Sequence, residues 1–282
     1  MSLVLLRIAT VLYGTAAAAY IAFFSRPRHA RLATAGFWAL LAGFAVHAAA
    51  IGEGCAEHGG REFFTLRGGV VLAAWLGAGA YLLLARLYRM PSVGAFVTPL
   101  LLVVLTPTLF GESDAPAVPA EVVRHSAFHV TAAVLAVALF GIACGVSLMY
   151  LLQEREVKGK RFGALFSRLP SLDALDRLNQ RLVRAGFVAF TMALLLGTVN
   201  AVAQWKTAWS WDPQVVISVA IWLLYGAMVQ MRHTGWHGRR YAVLTVVGFA
   251  VMVAAMVTLQ AVPGATRHTG SYGAVVHAER AE

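Results

Sequence analysis

Eight long apolar runs dominate this chain of 282 residues and restrict its fold more than any other feature. Each has about 18 to 22 mostly apolar residues, the length that an α-helix needs to cross a bilayer. Backbone groups in hydrocarbon must be hydrogen-bonded within their own segment, so the runs are expected to be helices. They begin near Ser2, Leu32, Gly68, Val93, His129, Ala185, Pro213 and Tyr241. The sequence therefore predicts an all-α protein, a transmembrane bundle of about eight spans.

The composition agrees with a membrane protein, because 59% of the residues are hydrophobic and only 13% are charged. Pro99 and Pro107 interrupt the fourth run, but spanning helices tolerate proline when neighbours satisfy the freed carbonyls. The first run has a competing interpretation as a cleaved signal peptide, since residues 16–19 resemble a small-residue cleavage site. Its charged cluster at 26–28 follows the run rather than preceding it, which favours a retained span.

Lys and Arg residues are concentrated in alternate loops, and this pattern predicts the orientation. Most of the 23 basic residues follow the first, third, fifth and seventh runs. They are Arg26, Arg28, Arg31, Arg86, Arg89, Arg155, Lys158, Lys160, Arg161, Arg168, Arg177, Arg181, Arg184, Arg232, Arg239 and Arg240. Basic loops stay in the cytoplasm, so both termini are predicted to be external. This bias explains the net charge of +10 without a nucleic-acid partner.

Charged side chains are missing from the middle of the predicted spans, which argues against a transporter built on intramembrane carboxylates. His47, deep in the second run, is either a functional group or a structural hydrogen-bonding residue. The fifth loop contains leucines at helical spacing behind Ser171, with three arginines alongside. That pattern predicts an amphipathic helix on the inner leaflet, with partner docking as the alternative.

A tryptophan-rich segment at 204–213 separates the sixth and seventh runs. Trp205, Trp209 and Trp211 fall within seven residues, and Asp212 and Pro213 follow as helix-starting residues. An interfacial aromatic belt is the simpler explanation of tryptophan at a membrane surface. Because a belt usually contributes isolated rings, so dense a cluster favours a flat aromatic platform.

Two histidines are predicted on the same external side as this platform. His129 begins the fifth run, and His268 lies just beyond the eighth. Each alone is more simply a solvated interfacial residue, but together they could ligate iron from either side of a macrocycle. Lys206, Arg124 and Arg267 could receive its carboxylates, although the two arginines are equally well explained as solvated charges. The pattern therefore favours haem binding.

The segment from Trp205 to Pro213 resembles the "WWD" signature of the haem-handling proteins of cytochrome c biogenesis, the CcsA, CcmC and CcmF superfamily. Residues 169–179, 222–225, 235–240 and 268–273 also resemble its CcsA and HemX branch. The resemblance divides the chain into four N-terminal spans, 1–128, and a haem-handling region, 129–282. It implies a multi-pass protein of a bacterial plasma membrane, with loop 204–213 on the periplasmic side.

The resemblance also implies roles for individual residues. His129 and His268 correspond to the axial haem ligands, and Trp205, Trp209, Trp211 and Asp212 to the platform, with Lys206 beside them. The cargo would be haem b, bound transiently and without covalent attachment. The expected partners are an apocytochrome c and a membrane protein with a large external domain. Whether the chain is itself an enzyme, or a component of a haem lyase or synthase complex, is left open.

Three departures from the family pattern keep alternatives open. Lys206 replaces a usual glycine, Val215 stands where many members have Glu, and Gln230 where full-length synthases tend to have His. The missing Glu and His, together with the chain's modest length, favour a HemX-like accessory that regulates tetrapyrrole biosynthesis as the second hypothesis. A permease for another anionic ligand is the third, and it would need no iron.

Overall fold

The structure, a computed structural model, describes residues 3–88, 90–110, 120–160, 163, 166, 168–205 and 211–261. Its described part contains eight α-helices and three short 3₁₀ helices, and no strand. The α-helices are α1 (Leu3–Ser25), α2 (Ala30–His58), α3 (Leu66–Tyr88), α4 (Pro91–Leu105), α5 (Ala120–Lys158), α6 (Leu172–Trp205), α7 (Pro213–Met231) and α8 (Arg239–Ala261). The 3₁₀ helices are Arg61–Phe64, Thr106–Leu109 and Arg232–Thr234.

All eight helices are long and apolar enough to cross a membrane, so the predicted fold class is confirmed. The interrupted fourth run also forms a candidate span, Pro91–Leu109, with Pro99 inside its helix and the 3₁₀ turn after it. The external position of the termini and the division of the chain after residue 128 stay predictions.

The N-terminal helices pack through aromatic rings against neighbouring glycines and rings. Phe44 of α2 stacks on Trp75 of α3, with ring centroids 4.9 Å apart. A Cβ at Gly94 of α4 would lie 2.3 Å from the Tyr81 hydroxyl and 2.8 Å from the Tyr20 ring. Small residues thus let α1, α3 and α4 approach closely, as is usual for helices that associate in lipid.

The C-terminal half is organised around the antiparallel pair α5 and α6. At about its middle, Gly186 of α6 receives the Phe140 ring of α5, which a Cβ would approach to 2.5 Å. Phe140 also stacks on Tyr225 of α7 at 3.6 Å, and Gly141 meets Phe249 of α8. Two sides of the bundle are distinguished below. The side where α5 begins and α6 finishes is called the signature end, and the opposite side is called the basic end.

Helices α5 and α6 are longer than the sequence predicts. With 39 and 34 residues, they reach roughly 58 and 51 Å at 1.5 Å per residue, against roughly 30 Å of hydrocarbon. Helix α5 begins at Ala120 rather than near His129, and α6 at Leu172 rather than near Ala185. The additional turns are polar, so hydropathy alone does not detect them.

The predicted amphipathic helix on the inner leaflet is wrong. Ser171 does cap a helix, because its hydroxyl accepts from the Ala174 amide at 3.3 Å. That helix, however, is the first part of α6 and continues without a break into the sixth span. Leu175, Leu178 and Leu182 are buried in the protein core, so their apolar stripe packs against other helices and not against lipid.

Candidate functional site

His129 projects from α5 onto α6 near the signature end. Its Nδ1 lies 2.7 Å from the carbonyl oxygen of Ala193, and the ring is half-buried. A carbonyl oxygen only accepts, so Nδ1 carries the hydrogen and donates it. The neutral ring then keeps its lone pair on Nε2, the arrangement that fixes histidines for metal ligation in many proteins.

Two further residues of α6 shape the position of this ring. A Cβ at Gly197 would come within 2.8 Å of His129 Cε1 and 3.0 Å of Nδ1, so the ring occupies the space that glycine leaves. Nearer the signature end, the Asn200 amide lies 3.5 Å from the Ser126 hydroxyl. A side-chain contact between α5 and α6 therefore lies next to the imidazole, on its signature-end side.

Asp212 begins α7 as its N-terminal cap. Its Oδ1 accepts a hydrogen bond from the Gln214 amide at 2.9 Å, with Pro213 in the first helical position. A side-chain oxygen at this position accepts a hydrogen bond from one of the free amides at the start of a helix. Its negative charge also interacts favourably with the positive end of the helix dipole. The residue is 8% exposed. Asp212 thus fixes where the signature segment stops and the seventh span starts.

Four residues predicted for the site lie at the signature end. His129 is on α5, Trp205 is the last residue of α6, and Trp211 and Asp212 precede α7. Trp211 is 82% exposed, so its ring presents a large apolar surface at this end. Lys206, Trp209 and His268 lie outside the described residues, and their predicted roles stay predictions.

Ala193, Gly197 and Asn200 are the residues that the sequence did not indicate as part of the site. Ala and Gly within an apolar run give no chemical signal, and their importance appears only where α5 crosses α6. Asn200 could have been identified from the sequence, because an amide side chain near the end of a span needs a hydrogen-bonding partner.

His47 lies in a different part of the molecule, between α1 and α2. Its side chain is fully buried, and Nδ1 is 3.2 Å from the Tyr13 hydroxyl. Nε2 makes no hydrogen bond with any other described residue. The contact with Tyr13 supports the structural interpretation of this histidine.

At the basic end, an ion pair connects α6 to the residues after α7. The Arg232 guanidinium makes two hydrogen bonds to the Asp176 carboxylate, one of them 2.9 Å long. Asp176 also accepts from the Gly238 amide at 3.1 Å. The hydrogen-bonded carboxylate raises the pKa of Arg232 above its ordinary value. The Asp176 carboxylate thus connects α6, the 3₁₀ helix Arg232–Thr234 and the residue before α8.

Fold and site together define a multi-pass helical membrane protein in which α6 orients a histidine of α5 near one end of the C-terminal bundle. The chain matches the family model described as "Cytochrome C assembly protein" over residues 64–262, more than half of its length. It therefore belongs to the cytochrome c assembly family, and the predicted resemblance is confirmed.

Curated relatives carry the name "Cytochrome c biogenesis protein CcsA". That of Prochlorococcus marinus (strain NATL2A) is 31% identical over 62% of this chain and 65% of the relative. That of Parasynechococcus marenigrum is 31% identical over 64% of this chain and 68% of the relative. That of Chlamydomonas reinhardtii is 27% identical over 65% of this chain and 53% of the relative. The chain thus spans less than two thirds of the first of these relatives.

Proposed function

We propose that this protein acts in the assembly of c-type cytochromes, by binding haem at its external face and presenting it to an apocytochrome c. The names of the matched relatives support the pathway, since each is called a cytochrome c biogenesis protein. The haem is cargo in this account, and the thiols that form thioether bonds with it belong to the apocytochrome.

The hydrogen bond between His129 and Ala193 carries the proposal. It orients the imidazole across the α5–α6 contact and leaves Nε2 as the lone-pair nitrogen. A neutral imidazole with its other nitrogen fixed in this way suits haem iron. His268 is proposed as the second axial ligand, from the family signature alone.

The aromatic residues at the same end fit a planar apolar ligand. Trp211 exposes most of its ring beside the start of α7, and Trp205 ends α6. Tryptophan faces contact a macrocycle favourably, and Lys206 would pair with a haem carboxylate. Within this arrangement Asp212 positions the segment through its cap and need not touch haem itself.

The orientation proposed from charge puts this site outside the cytoplasm. Arg181, Arg184 and Arg239 lie at the basic end, which the positive-inside rule assigns to the cytoplasm. The signature end then faces the periplasmic side of a bacterial plasma membrane. A separate membrane protein with a large external domain would hold the apocytochrome while haem is transferred.

The test is complementation of a strain that lacks this gene, with c-type cytochromes detected by their covalently bound haem. We expect the double variant His129→Ala, His268→Ala to accumulate in the membrane and yet assemble no c-type cytochrome. Normal assembly in that variant would contradict the proposal. Unchanged cytochromes together with altered haem-precursor levels in the deletion strain would support the HemX-like accessory function instead.

A further inference from the structure

Four helices of the C-terminal half each bury a polar side chain in the same part of the bundle. Asn179 of α6 is 2% exposed, and Ser147 of α5, Tyr225 of α7 and Tyr241 of α8 are fully buried. One atom in each makes no hydrogen bond with any other described residue: Oδ1 of Asn179, Oγ of Ser147 and the two tyrosine hydroxyl oxygens. Native structures rarely leave a buried polar atom unpaired, because the cost is large. A further hydrogen-bonding partner is therefore expected for these four side chains, which we name the polar layer.

Asn179 and Ser147 stand at the same height on two neighbouring antiparallel helices. The Phe140 ring of α5 lies against Gly186 of α6, and this contact fixes the pairing of the two helices. Ser147 is seven residues after Phe140, and Asn179 is seven residues before Gly186. Each is therefore roughly 10 Å from that contact along its helix, on the side of the basic end.

Helices α7 and α8 contribute to the layer through their tyrosines and through Thr245. The Asn179 amide donates to the Thr245 hydroxyl at 3.2 Å, and that hydroxyl donates to the Tyr241 carbonyl oxygen at 3.0 Å. Tyr225 and Tyr241 are close enough to interact electrostatically. The Asn179 side chain thus joins α6 to α8 through its nitrogen, and its oxygen remains available for a further bond.

Gly248 of α8 leaves space for a small molecule next to Tyr225. The glycine is buried, and a Cβ there would lie 3.9 Å from Tyr225 Cζ, the carbon that bears the hydroxyl. The other nearest atoms, in Leu224 and Met228, would be 3.6 Å away. These are ordinary contact distances, so a methyl group would fit without displacing a neighbour. A water molecule is about as large as a methyl group, so the same space accommodates water.

We propose that the polar layer binds ordered water, which bridges Asn179, Ser147, Tyr225 and Tyr241. The Asn179 carbonyl oxygen only accepts, whereas the three hydroxyl groups both donate and accept, and water satisfies either role. Buried water typically makes about three hydrogen bonds to polar groups that would otherwise be unpaired. All four groups are uncharged, so the layer suits a neutral ligand and not an ion.

The polar layer lies directly inside the Asp176–Arg232 ion pair of the basic end. Asp176 is on α6, one turn from the layer, and the Arg232 guanidinium carbon lies 5.4 Å from the centroid of the Tyr241 ring. On the other side the layer is bounded by Phe140 and the ring stacked on it. Water should therefore exchange with the solution at the basic end and not cross to the signature end.

The experiment is X-ray hydroxyl-radical footprinting of the full-length, detergent-purified protein, with modified residues identified by mass spectrometry. Radicals formed from bound water label the side chains that this water touches, so a buried residue is labelled only where it contacts water. We expect Tyr225 and Tyr241 to be labelled although both are fully buried. Phe190, which is buried beyond Phe140 toward the signature end, should remain unlabelled.

Gly248→Ala tests the binding site directly, because its methyl group fills the space beside Tyr225. The labelling of Tyr225 should be lost in this variant and retained in Gly145→Ala, whose Cβ meets nothing within 4 Å. If Gly248→Ala does not fold, Tyr225→Phe takes its place, and removal of that hydroxyl should lower the labelling of Tyr241.

The protein needs no haem for this test, so its outcome is independent of the proposed function. Three results would overturn the proposal: tyrosines of the polar layer that stay unlabelled in the native protein, Phe190 labelled as strongly as those tyrosines, or tyrosine labelling that is unchanged in the folded variant of the layer.

Discussion

Gly197 of α6 faces the imidazole of His129 so closely that a Cβ there would lie 2.8 Å from the ring carbon Cε1. The same ring donates its Nδ1 hydrogen to Ala193, one turn earlier on α6. Helix α6 therefore determines both the position of the imidazole and which of its two nitrogens keeps the lone pair.

Replacing Gly197 by Ala should displace the ring and weaken haem binding. Loss of an orienting interaction behind a metal ligand typically lowers affinity roughly 10- to 100-fold. The measurement is haem titration of the purified variant, followed by visible absorption. Gly145→Ala is the control, because a Cβ at Gly145 meets nothing within 4 Å and should leave the affinity unchanged. Equal affinity in the two variants would show that the ring does not depend on Gly197.

Asp212 should tolerate loss of its charge but not loss of its oxygen. Asp212→Asn retains an acceptor for the Gln214 amide, whereas Asp212→Ala removes the cap at a cost of about 0.5–2 kcal/mol. We therefore expect Asp212→Asn to keep the stability and haem binding of the native protein, and Asp212→Ala to lose stability. The melting temperature and haem titration check this. A loss of haem binding in Asp212→Asn at native stability would instead indicate direct contact with haem.

The Asp176–Arg232 pair should contribute far more to stability than the Asp173–Arg177 pair one turn away. The Asp176–Arg232 pair is part-buried, with side chains 13% and 8% exposed, against 71% and 56% for the other pair. Breaking a fully buried pair costs roughly 3–5 kcal/mol, because the remaining charge is left uncompensated, while an exposed pair contributes about 0–1 kcal/mol. The part-buried Asp176–Arg232 pair should therefore fall between these limits, above the exposed pair. Asp176→Asn and Asp173→Asn compare them directly in thermal unfolding. Similar melting temperatures for the two variants would contradict the prediction.

Tyr13 and His47 should behave as one structural unit. Tyr13→Phe leaves a fully buried imidazole without its described partner, which costs roughly 1–3 kcal/mol of unfolding free energy. The double variant with His47→Phe removes the polar group as well, so it should lose less than the two single effects added together. Cytochrome assembly should persist in the double variant. Loss of assembly in a stable His47→Phe protein would assign this histidine a functional role.

Hydropathy predicted all eight spans because each is an apolar run long enough for a helix to cross a bilayer. It did not predict the first turns of α5 and α6, since residues such as Asp173 and Arg177 are polar and resemble a surface segment. Burial of Leu175 and Leu178 against other helices depends on tertiary packing, and the same stripe would equally suit a lipid surface.

The site was predictable only where a residue has distinctive chemistry. His129 and the Trp–Asp–Pro sequence at 211–213 were identified because imidazole and carboxylate side chains are rare at membrane spans, and because three indoles within seven residues are denser than an interfacial belt. The residues that orient His129 were not, since Ala193 contributes a backbone carbonyl and Gly197 an absent side chain. Such contributions depend on which helix is the neighbour, and a single sequence does not specify that.

The most direct test of the central claim is the visible absorption spectrum of the purified protein, oxidised and reduced, beside the His129→Ala, His268→Ala double variant. The proposed function predicts a Soret band in the native protein that the folded double variant lacks. A native protein that binds no haem even when haem is added, or a double variant with an unchanged spectrum, would contradict the proposed haem site.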